Sequence, residues 1–257
     1  YTTSTSKLAY LQQPIPPVQY HTTSMPYALI VSPRNEIRQD ADISLLPELT
    51  LDQIVELEKR VEERLDVSAL VVQVGGVGVY PTMVMETSNL NWLAEVVSHE
   101  WIHNFLTLHP LGMLYNQTPE LRTINETTAS IAGKELGNLL IEFFYPALKP
   151  KPVVETEEIT AMASEDNSPP IFDFRAEMRE TRVTVDAMLA KGKIEEAEQY
   201  MEERRQIFVS NGYNIRRLNQ AYFAFHGAYA DQPGGAAGED PVGEAVRTLR
   251  SQSDSLA

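Results

Sequence analysis

Residues 90–108, LNWLAEVVSHEWIHNFLTL, are the stretch of sequence from which the fold is inferred. Ser88-Asn89 come just before it and can cap a helix, while Pro110 lies just beyond it and blocks further helical extension. The pattern therefore predicts one helix from Leu90 to Leu108. Short strand-like segments precede this helix and longer helical segments follow it, so we expect an α+β fold with a small sheet beside the helix.

Two histidines in this helix have the spacing of metal ligands. His99 and His103 are four residues apart, so on a helix their imidazoles lie on one face and can bind one ion. Glu100 follows His99, and its carboxylate can accept a proton from a water activated at the open side of that ion. The HExxH sequence from His99 to His103 thus predicts a single catalytic Zn²⁺ and metal-assisted hydrolysis of an amide bond.

A catalytic zinc ion needs a third protein ligand and an open fourth position. Glu126 follows His103 by 23 residues, an interval that accommodates a helix end, a loop and a returning helix. His109 is the alternative, because it stands in the register of the last histidine of HExxHxxGxxH. Leu106 replaces the glycine that turns the chain back in that motif, so a straight helix would carry His109 away. Glu126 is therefore the preferred third ligand.

Strand patterns upstream of the motif predict the small sheet. Tyr27–Ser32 and the β-branched run at 69–74 are short apolar segments, and Thr50 with Gln53 forms the signature of a capped helix between them. The segment from Val77 to Thr87 is predicted as a second strand after the run at 69–74. Proline at position 81 identifies this strand as an edge strand, to which an extended peptide could pair.

Helical patterns dominate the sequence after the motif. A long helix is predicted over 120–144, and three further helices are predicted over 172–189, 194–209 and 214–230. A short last helix is predicted at 242–249.

The composition excludes several classes of function. The chain has no cysteine, so a metal must be held by His, Asp or Glu. A net charge of −15 without a basic stripe argues against a nucleic-acid partner or an anionic membrane surface. No apolar run is long enough to cross a bilayer. The chain opens on Tyr1 in a Thr/Ser-rich stretch, so we expect an extracytoplasmic or membrane-anchored domain from which an upstream signal or anchor has been removed.

The HExxH sequence followed by Asn125-Glu126-Thr127-Thr128-Ala129 resembles the gluzincins, a group of zinc metallopeptidases. The resemblance implies a zincin-like fold in which His99, His103 and Glu126 bind zinc and Glu100 is the general base. Ser130 stands where thermolysin-like proteins often have an aspartate, so the resemblance leaves open which residue partners a ligand histidine.

The C-terminal part carries a second resemblance. Arg217-Leu-Asn-Gln-Ala-Tyr222, followed by Tyr229, is similar to a segment of bacterial predicted zinc aminopeptidases. On one helix, Asn219, Tyr222, His226 and Tyr229 would share a face, and the last three are candidate catalytic donors to the oxyanion. An aminopeptidase would also need acids for the substrate ammonium group, for which Glu86 and Glu95 are candidates.

These predictions give an organisation in four parts and leave rival functions open. The rivals are a non-catalytic binding or assembly factor with a zincin fold, and a structural zinc site, which is disfavoured by only three protein ligands. A peptide or protein is the expected partner. The four parts are an extended N-terminal arm (1–27), a zincin-like catalytic part (28–148), a Pro-rich loop (149–171) and a helical C-terminal part that completes the active site (172–257).

Overall fold

The computed structural model describes residues 14–149, 172–227 and 241–254, and its architecture is α+β. Strands β2 (Tyr27–Pro33), β3 (Ala41–Leu45) and β4 (Val67–Gln73) form an antiparallel sheet in the order β3-β2-β4. Helix α1 (Leu51–Leu65) covers one face of this sheet. The predicted cap is confirmed, because Thr50 and Gln53 form a capping box at the start of α1.

Residues of β2 alternate between two cores, as the twofold side-chain period of a strand requires. Leu29 and Val31 pack in the core on the α1 side. Ala28 and Ile30 face the opposite side, where they pack with Ala221 of a C-terminal helix. Because both faces of β2 are buried, its central residues read as a continuous apolar run in the sequence.

A second small sheet lies nearer to the predicted motif helix. Strands β1 (Tyr20–Thr23), β5 (Gly76–Val77) and β6 (Thr82–Met85) form it in the order β1-β6-β5. Strand β1 comes from the segment predicted to be an arm, and it pairs in parallel with β6.

The prediction of one continuous edge strand over 77–87 was wrong. The segment forms two short strands, β5 and β6, which pair with each other in antiparallel fashion. Strand β6 lies in the centre of its sheet, because β1 occupies its other side. Pro81 stands outside both strands, where its missing N–H removes no hydrogen bond from the ladder.

Three helices follow the second sheet. They are α2 (Leu90–Leu106), capped by the Asn89 side chain, the short α3 (Pro110–Met113) and the long α4 (Pro119–Phe144). Helices α2 and α4 run antiparallel, since Gly133 of α4 lies against His99 while Gly137 lies against Glu95. A Cβ atom on Gly133 would come 2.8 Å from the Cα and N atoms of His99, so only glycine permits this approach.

The C-terminal part contains a helical hairpin. Helices α5 (Phe174–Leu189) and α6 (Ile194–Ser210) enclose a core that includes Met178, Met201 and Phe208. Gly192 in the connection adopts a positive φ of 71°, which ends α5 without the strain that a side chain would bring. The last described helix is α8 (Pro241–Ser251).

The helix predicted over 214–230 is much shorter than expected where it is described. Helix α7 spans Gln220–His226, and the side chain of Asn219 caps it by accepting from the Tyr222 N–H. Residues 214–219 instead form an irregular segment that contacts the first sheet, where Asn219 donates to the Ala69 carbonyl at 2.9 Å. Most of the predicted Pro-rich loop, from residue 150 to 171, lies outside the described residues.

A buried ion cluster fastens residues 214–219 to the sheet. Glu58 of α1 is fully buried, and both Arg216 and Arg217 donate to its carboxylate, Arg216 at 2.5 and 2.8 Å. Glu58 also accepts from the Val71 N–H at 2.6 Å. Because both arginines pair with Glu58, losing either one alone would still leave this buried carboxylate with a cationic partner.

None of the helices in the described part of the chain is both long and apolar enough to cross a membrane.

Replacing Gly133 with alanine should destabilise the protein and weaken metal binding, because the added methyl group would strike the backbone of α2 at His99. Overpacking of this kind costs about 1–3 kcal/mol. The free energy of unfolding from urea titration, together with the affinity for Zn²⁺, measures both effects. Lys134→Ala at the neighbouring exposed position is the control and should stay within about 0.5 kcal/mol of wild type. Equal stability of the two variants would contradict the close-packing argument.

Candidate metal centre

Helix α2 brings its two histidines together as the sequence predicts. The Nε2 atoms of His99 and His103 are 3.0 Å apart, and both imidazoles are largely buried. Helix α2 ends at Leu106, less than one turn after His103, and the chain then leads into α3. Because the rings lie one turn apart on one face, their Nε2 atoms converge on a single point in front of the helix.

Glu126 approaches the same point from α4. Its Oε2 atom lies 3.6 Å from His99 Nε2 and 3.3 Å from His103 Nε2. The side chain is buried, and Oε2 has no hydrogen-bond partner among the residues that the structure describes. A buried carboxylate oxygen that faces two imidazole nitrogens without a hydrogen bond is an arrangement that a metal ion would satisfy. His99, His103 and Glu126 therefore form a cluster that can hold a metal ion.

His109, the alternative third ligand, is not a member of this cluster. It lies at the N-terminus of α3, where it is exposed and its ring packs on Phe105 with 4.5 Å between centroids. Helix α2 ends at Leu106, three residues earlier, so His109 does not continue the ligand face of that helix.

Three polar side chains orient the cluster from behind. Asn125 Oδ1 lies 2.8 Å from His103 Nδ1 and Ser130 Oγ lies 3.5 Å from His99 Nδ1, leaving each Nε2 to face the cluster. The Tyr115 hydroxyl donates a short hydrogen bond to Glu126 Oε1. Such contacts fix the ring tautomer and the carboxylate orientation. The sequence left open which residue contacts a candidate ligand histidine from behind, and the structure places Ser130 beside His99.

Electrostatic coupling within the cluster is strong. Burial opposes the ionised form of Glu126, but the close approach of the His103 and His99 imidazoles outweighs burial and holds the pKa of Glu126 well below its usual range. Burial likewise disfavours protonated His103, yet Glu126 raises the pKa of that imidazole. The carboxylate therefore stays ionised and draws positive charge to the point between the rings, whether from a proton or from a metal cation.

Glu100 lies beside the cluster under a glycine-rich strand. Its side chain is buried, and a Cβ on Gly76 would strike its carboxylate, while one on Gly78 would come 3.0 Å from His103 Cβ. Burial raises the pKa of Glu100 against the opposing effect of the two histidines. Glycine at 76 and 78 therefore leaves room for the carboxylate beneath the backbone of β5.

These residues open into one large cleft with a volume of about 950 Å³. Both sheets, α2, α4 and α7 contribute to its walls. The metal-binding cluster and Glu100 lie in the wall formed by α2 and α4, and Asp42 of β3 also lines the cleft.

The predicted oxyanion donors are not brought to the cleft where they are described. Tyr222 and His226 pack on each other with 4.3 Å between ring centroids, and neither is among the residues that line the cleft. Burial raises the pKa of Tyr222 to about 12 and lowers the pKa of His226 to about 4. Tyr229 lies outside the described residues. The neighbouring Phe223 and Ala224 line the cleft instead.

Sequence reasoning overlooked Tyr115. Its hydroxyl contacts a predicted ligand, and burial with the negative charge of Glu126 raises its pKa, so the phenol stays protonated and donates. Its place in the loop between the two predicted ligand helices was the only available signal. Loop residues carry no periodicity that would show which way their side chains point.

Comparison with known proteins adds no relative: no protein family, no curated protein and no solved structure matches the chain.

Replacing Tyr115 with phenylalanine should weaken metal binding about tenfold or more, because Glu126 Oε1 would lose the donor that orients it. Competition against a chelator with Zn²⁺ as the probe ion measures the change. Tyr27→Phe, which alters another tyrosine lining the same cleft, is the matched control and should retain wild-type affinity. An unchanged affinity in Tyr115→Phe would show that the hydrogen bond does not position the ligand.

His226 should make the protein less stable as the pH falls from about 6.5 to about 4. Its folded-state pKa is depressed, so in that window the unfolded chain binds the proton first and stability is lost with acid. The loss should be on the order of 3 kcal/mol for this one group. Urea titrations of wild type and His226→Phe between pH 4 and 7 measure it as a difference. Tyr222→Phe keeps the imidazole and should keep the wild-type slope; an equal slope in His226→Phe would refute the assignment.

Proposed function

We propose that the protein is a zinc-dependent peptidase. The observation that carries the proposal is the convergence of two imidazole nitrogens and one buried carboxylate oxygen, separated by 3.0–3.6 Å, beside a buried glutamate in a large cleft. Tetrahedral ligands at ordinary zinc bond lengths are about 3.3–3.5 Å apart. The donor set of two histidines and one glutamate, with no cysteine in the chain, suits a catalytic rather than a structural zinc ion.

The reaction is hydrolysis of a peptide bond. A zinc ion held by the three ligands would polarise a water molecule and the substrate carbonyl. The Glu100 carboxylate then accepts a proton from the attacking water and delivers it to the departing amine nitrogen. The raised pKa of Glu100 favours the first half of this transfer, because a more basic carboxylate takes up the proton of the water more readily than an exposed glutamate would.

An extended peptide fits the shape of the site better than a compact metabolite. Strand β5 lies at the edge of its sheet and passes over Glu100, so its free side can pair with a substrate backbone. Strand β5 is therefore better placed to bind a peptide than β6, the other part of the segment predicted to be an edge strand. Strand β6 is central, and its residue Met83, for example, pairs with a strand on each side.

Membership in the gluzincins and an aminopeptidase activity remain proposals. The spacing of the ligands and the return helix α4 favour a gluzincin. The aminopeptidase assignment has less support, because Glu86 and Glu95 are exposed and neither lines the cleft. Comparing a free peptide with its N-acetylated form separates the two: loss of cleavage on acetylation supports an aminopeptidase, and equal cleavage excludes it.

The rival function is a non-catalytic binding or assembly factor that keeps this fold. The intact ligand set and the buried Glu100 favour catalysis, because a binding role requires neither. A co-purifying partner together with inactivity on a broad peptide library would favour the rival.

Replacing Glu100 with glutamine should abolish peptide hydrolysis, by a factor of about 10² or more, while the protein still binds one equivalent of zinc. The amide keeps the shape of the carboxylate but cannot accept the proton. Cleavage of a peptide library and metal content after dialysis are the two measurements. Glu95→Gln, an exposed substitution on the same helix, is the control and should keep wild-type activity. A wild-type protein without stoichiometric zinc, or an active Glu100→Gln variant, would refute the proposal.

A further inference from the structure

Arg122 is a buried cation in the wall of the cleft. It belongs to the first turns of α4, only 9% of the residue is exposed, and it is one of the residues that line the cleft. It precedes Glu126 by four residues and therefore lies on the same helix face, one turn from the third metal ligand.

Arg122 differs from the other cleft arginines in having no carboxylate partner. Arg38 pairs with Asp40 at 2.6 Å, and Arg182 pairs with Asp186 at 2.7 Å. Across the described ranges, no carboxylate lies within 4.0 Å of the Arg122 guanidinium. A buried charge without a counter-ion is costly, so this position favours a bound anion.

The protein satisfies the Arg122 guanidinium only in part. Its Nη1 donates to the Ala224 carbonyl at 3.1 Å, and the Tyr115 hydroxyl lies within hydrogen-bonding reach of the guanidinium. Among the described residues, its buried Nε has no hydrogen-bond partner. Asp42 lies within electrostatic range across the cleft, where desolvation raises the pKa of Asp42 and Arg122 opposes the rise. Glu126, the other nearby acid, faces the two histidines. The positive end of α4 adds to the field at Arg122.

We propose that Arg122 binds the C-terminal carboxylate of the substrate, so that the protein acts on short peptides with a free C-terminus close to the cleaved bond. The proposal rests on the proposed peptidase function. A guanidinium recognises a carboxylate through charge-assisted hydrogen bonds, and such recognition selects a free acid over an amide.

The spacing fits a cleavage site near the end of the peptide. One helical turn separates Arg122 from Glu126, a rise of about 6 Å. A C-terminal carboxylate lies about 3.5 Å from the scissile carbonyl if one residue is released, and about 7 Å if two are released. The helix rise is of the same order as these two distances, so the proposal predicts release of a single residue or a dipeptide from the C-terminal end.

Calorimetric binding of two matched probes tests the proposal without relying on catalysis. The probes are an N-acetylated tripeptide with a free carboxylate and the same tripeptide as its C-terminal amide. They are titrated into the zinc-loaded Glu100→Gln variant and into the metal-free wild-type protein. We expect the acid to bind about 10- to 100-fold more tightly than the amide in both forms.

The variant Arg122→Met should bind acid and amide equally. Arg182→Met is the matched control, because Arg182 lines the same cleft but has its own carboxylate partner, and it should keep the preference for the acid. Equal binding of the two probes by wild type, a preference that survives Arg122→Met, or no binding of either probe would each overturn the proposal. A preference seen only with zinc present would also overturn it, because the carboxylate would then be on the metal.

Two further measurements separate folding and catalysis from recognition. If Arg122→Met does not fold, the NMR signal of the Arg122 Nε–H in wild type gives the same test: it should shift with the acid and not with the amide. If the chemical shift of this signal changes with neither probe, the proposal is overturned. If wild type never hydrolyses a peptide yet keeps the Arg122-dependent preference, the peptidase function fails while the carboxylate site stands.

Discussion

The close approach of helices α2 and α4 is the constraint on which the metal centre depends. His99 and His103 would supply two ligands of the candidate site from one helix, but no residue of that helix can supply the third from the opposite side. Glu126 reaches them because Gly133 and Gly137 remove the side chains that would hold the helices apart. The same approach brings Asn125 and Ser130 behind the two imidazoles. The close contact between α2 and α4 therefore positions both the candidate ligands and the side chains that orient them.

The cleft depends on a second, electrostatic constraint. Phe223 and Ala224 of α7 contribute to its wall, and the segment before α7 is fixed by ionic contacts. Arg216 and Arg217 bind the buried Glu58, so this segment is fastened to α1 and β4 through charge and hydrogen bonding. A helix of seven residues would not be stable alone, so its position depends on these contacts together with the packing of Ala221 against β2 and of Phe223 in the core with α5 and α6.

The sequence predicted the elements whose periodicity or chemistry is local. Helix α2, with its capping Asn89 and its histidines four residues apart, is an example, and the return helix with Glu126 followed from ligand requirements. Non-local features were missed: β1 is a strand only because β6 lies beside it, and β3 only because β2 does. The prediction of one helix over 214–230 was wrong for the same reason, since contacts with β4 hold residues 214–219 in a non-helical conformation. Tyr115 could not be found because its role depends on a loop conformation.

The polar groups of α4 explain how the same cleft could hold both a metal ion and the anion that we propose. One face of this helix presents Glu126 Oε2, a buried acceptor without a hydrogen bond, and one turn away Arg122, a buried cation without a carboxylate partner in the described chain. The two do not satisfy each other, because Glu126 faces the histidines of α2 while Arg122 contacts the Ala224 carbonyl of α7. Glu126 therefore favours a bound cation, and Arg122 favours a bound anion. A metal ion at Glu126 and a substrate carboxylate at Arg122 would offset the free-energy cost of burying these two charged groups in the apo protein.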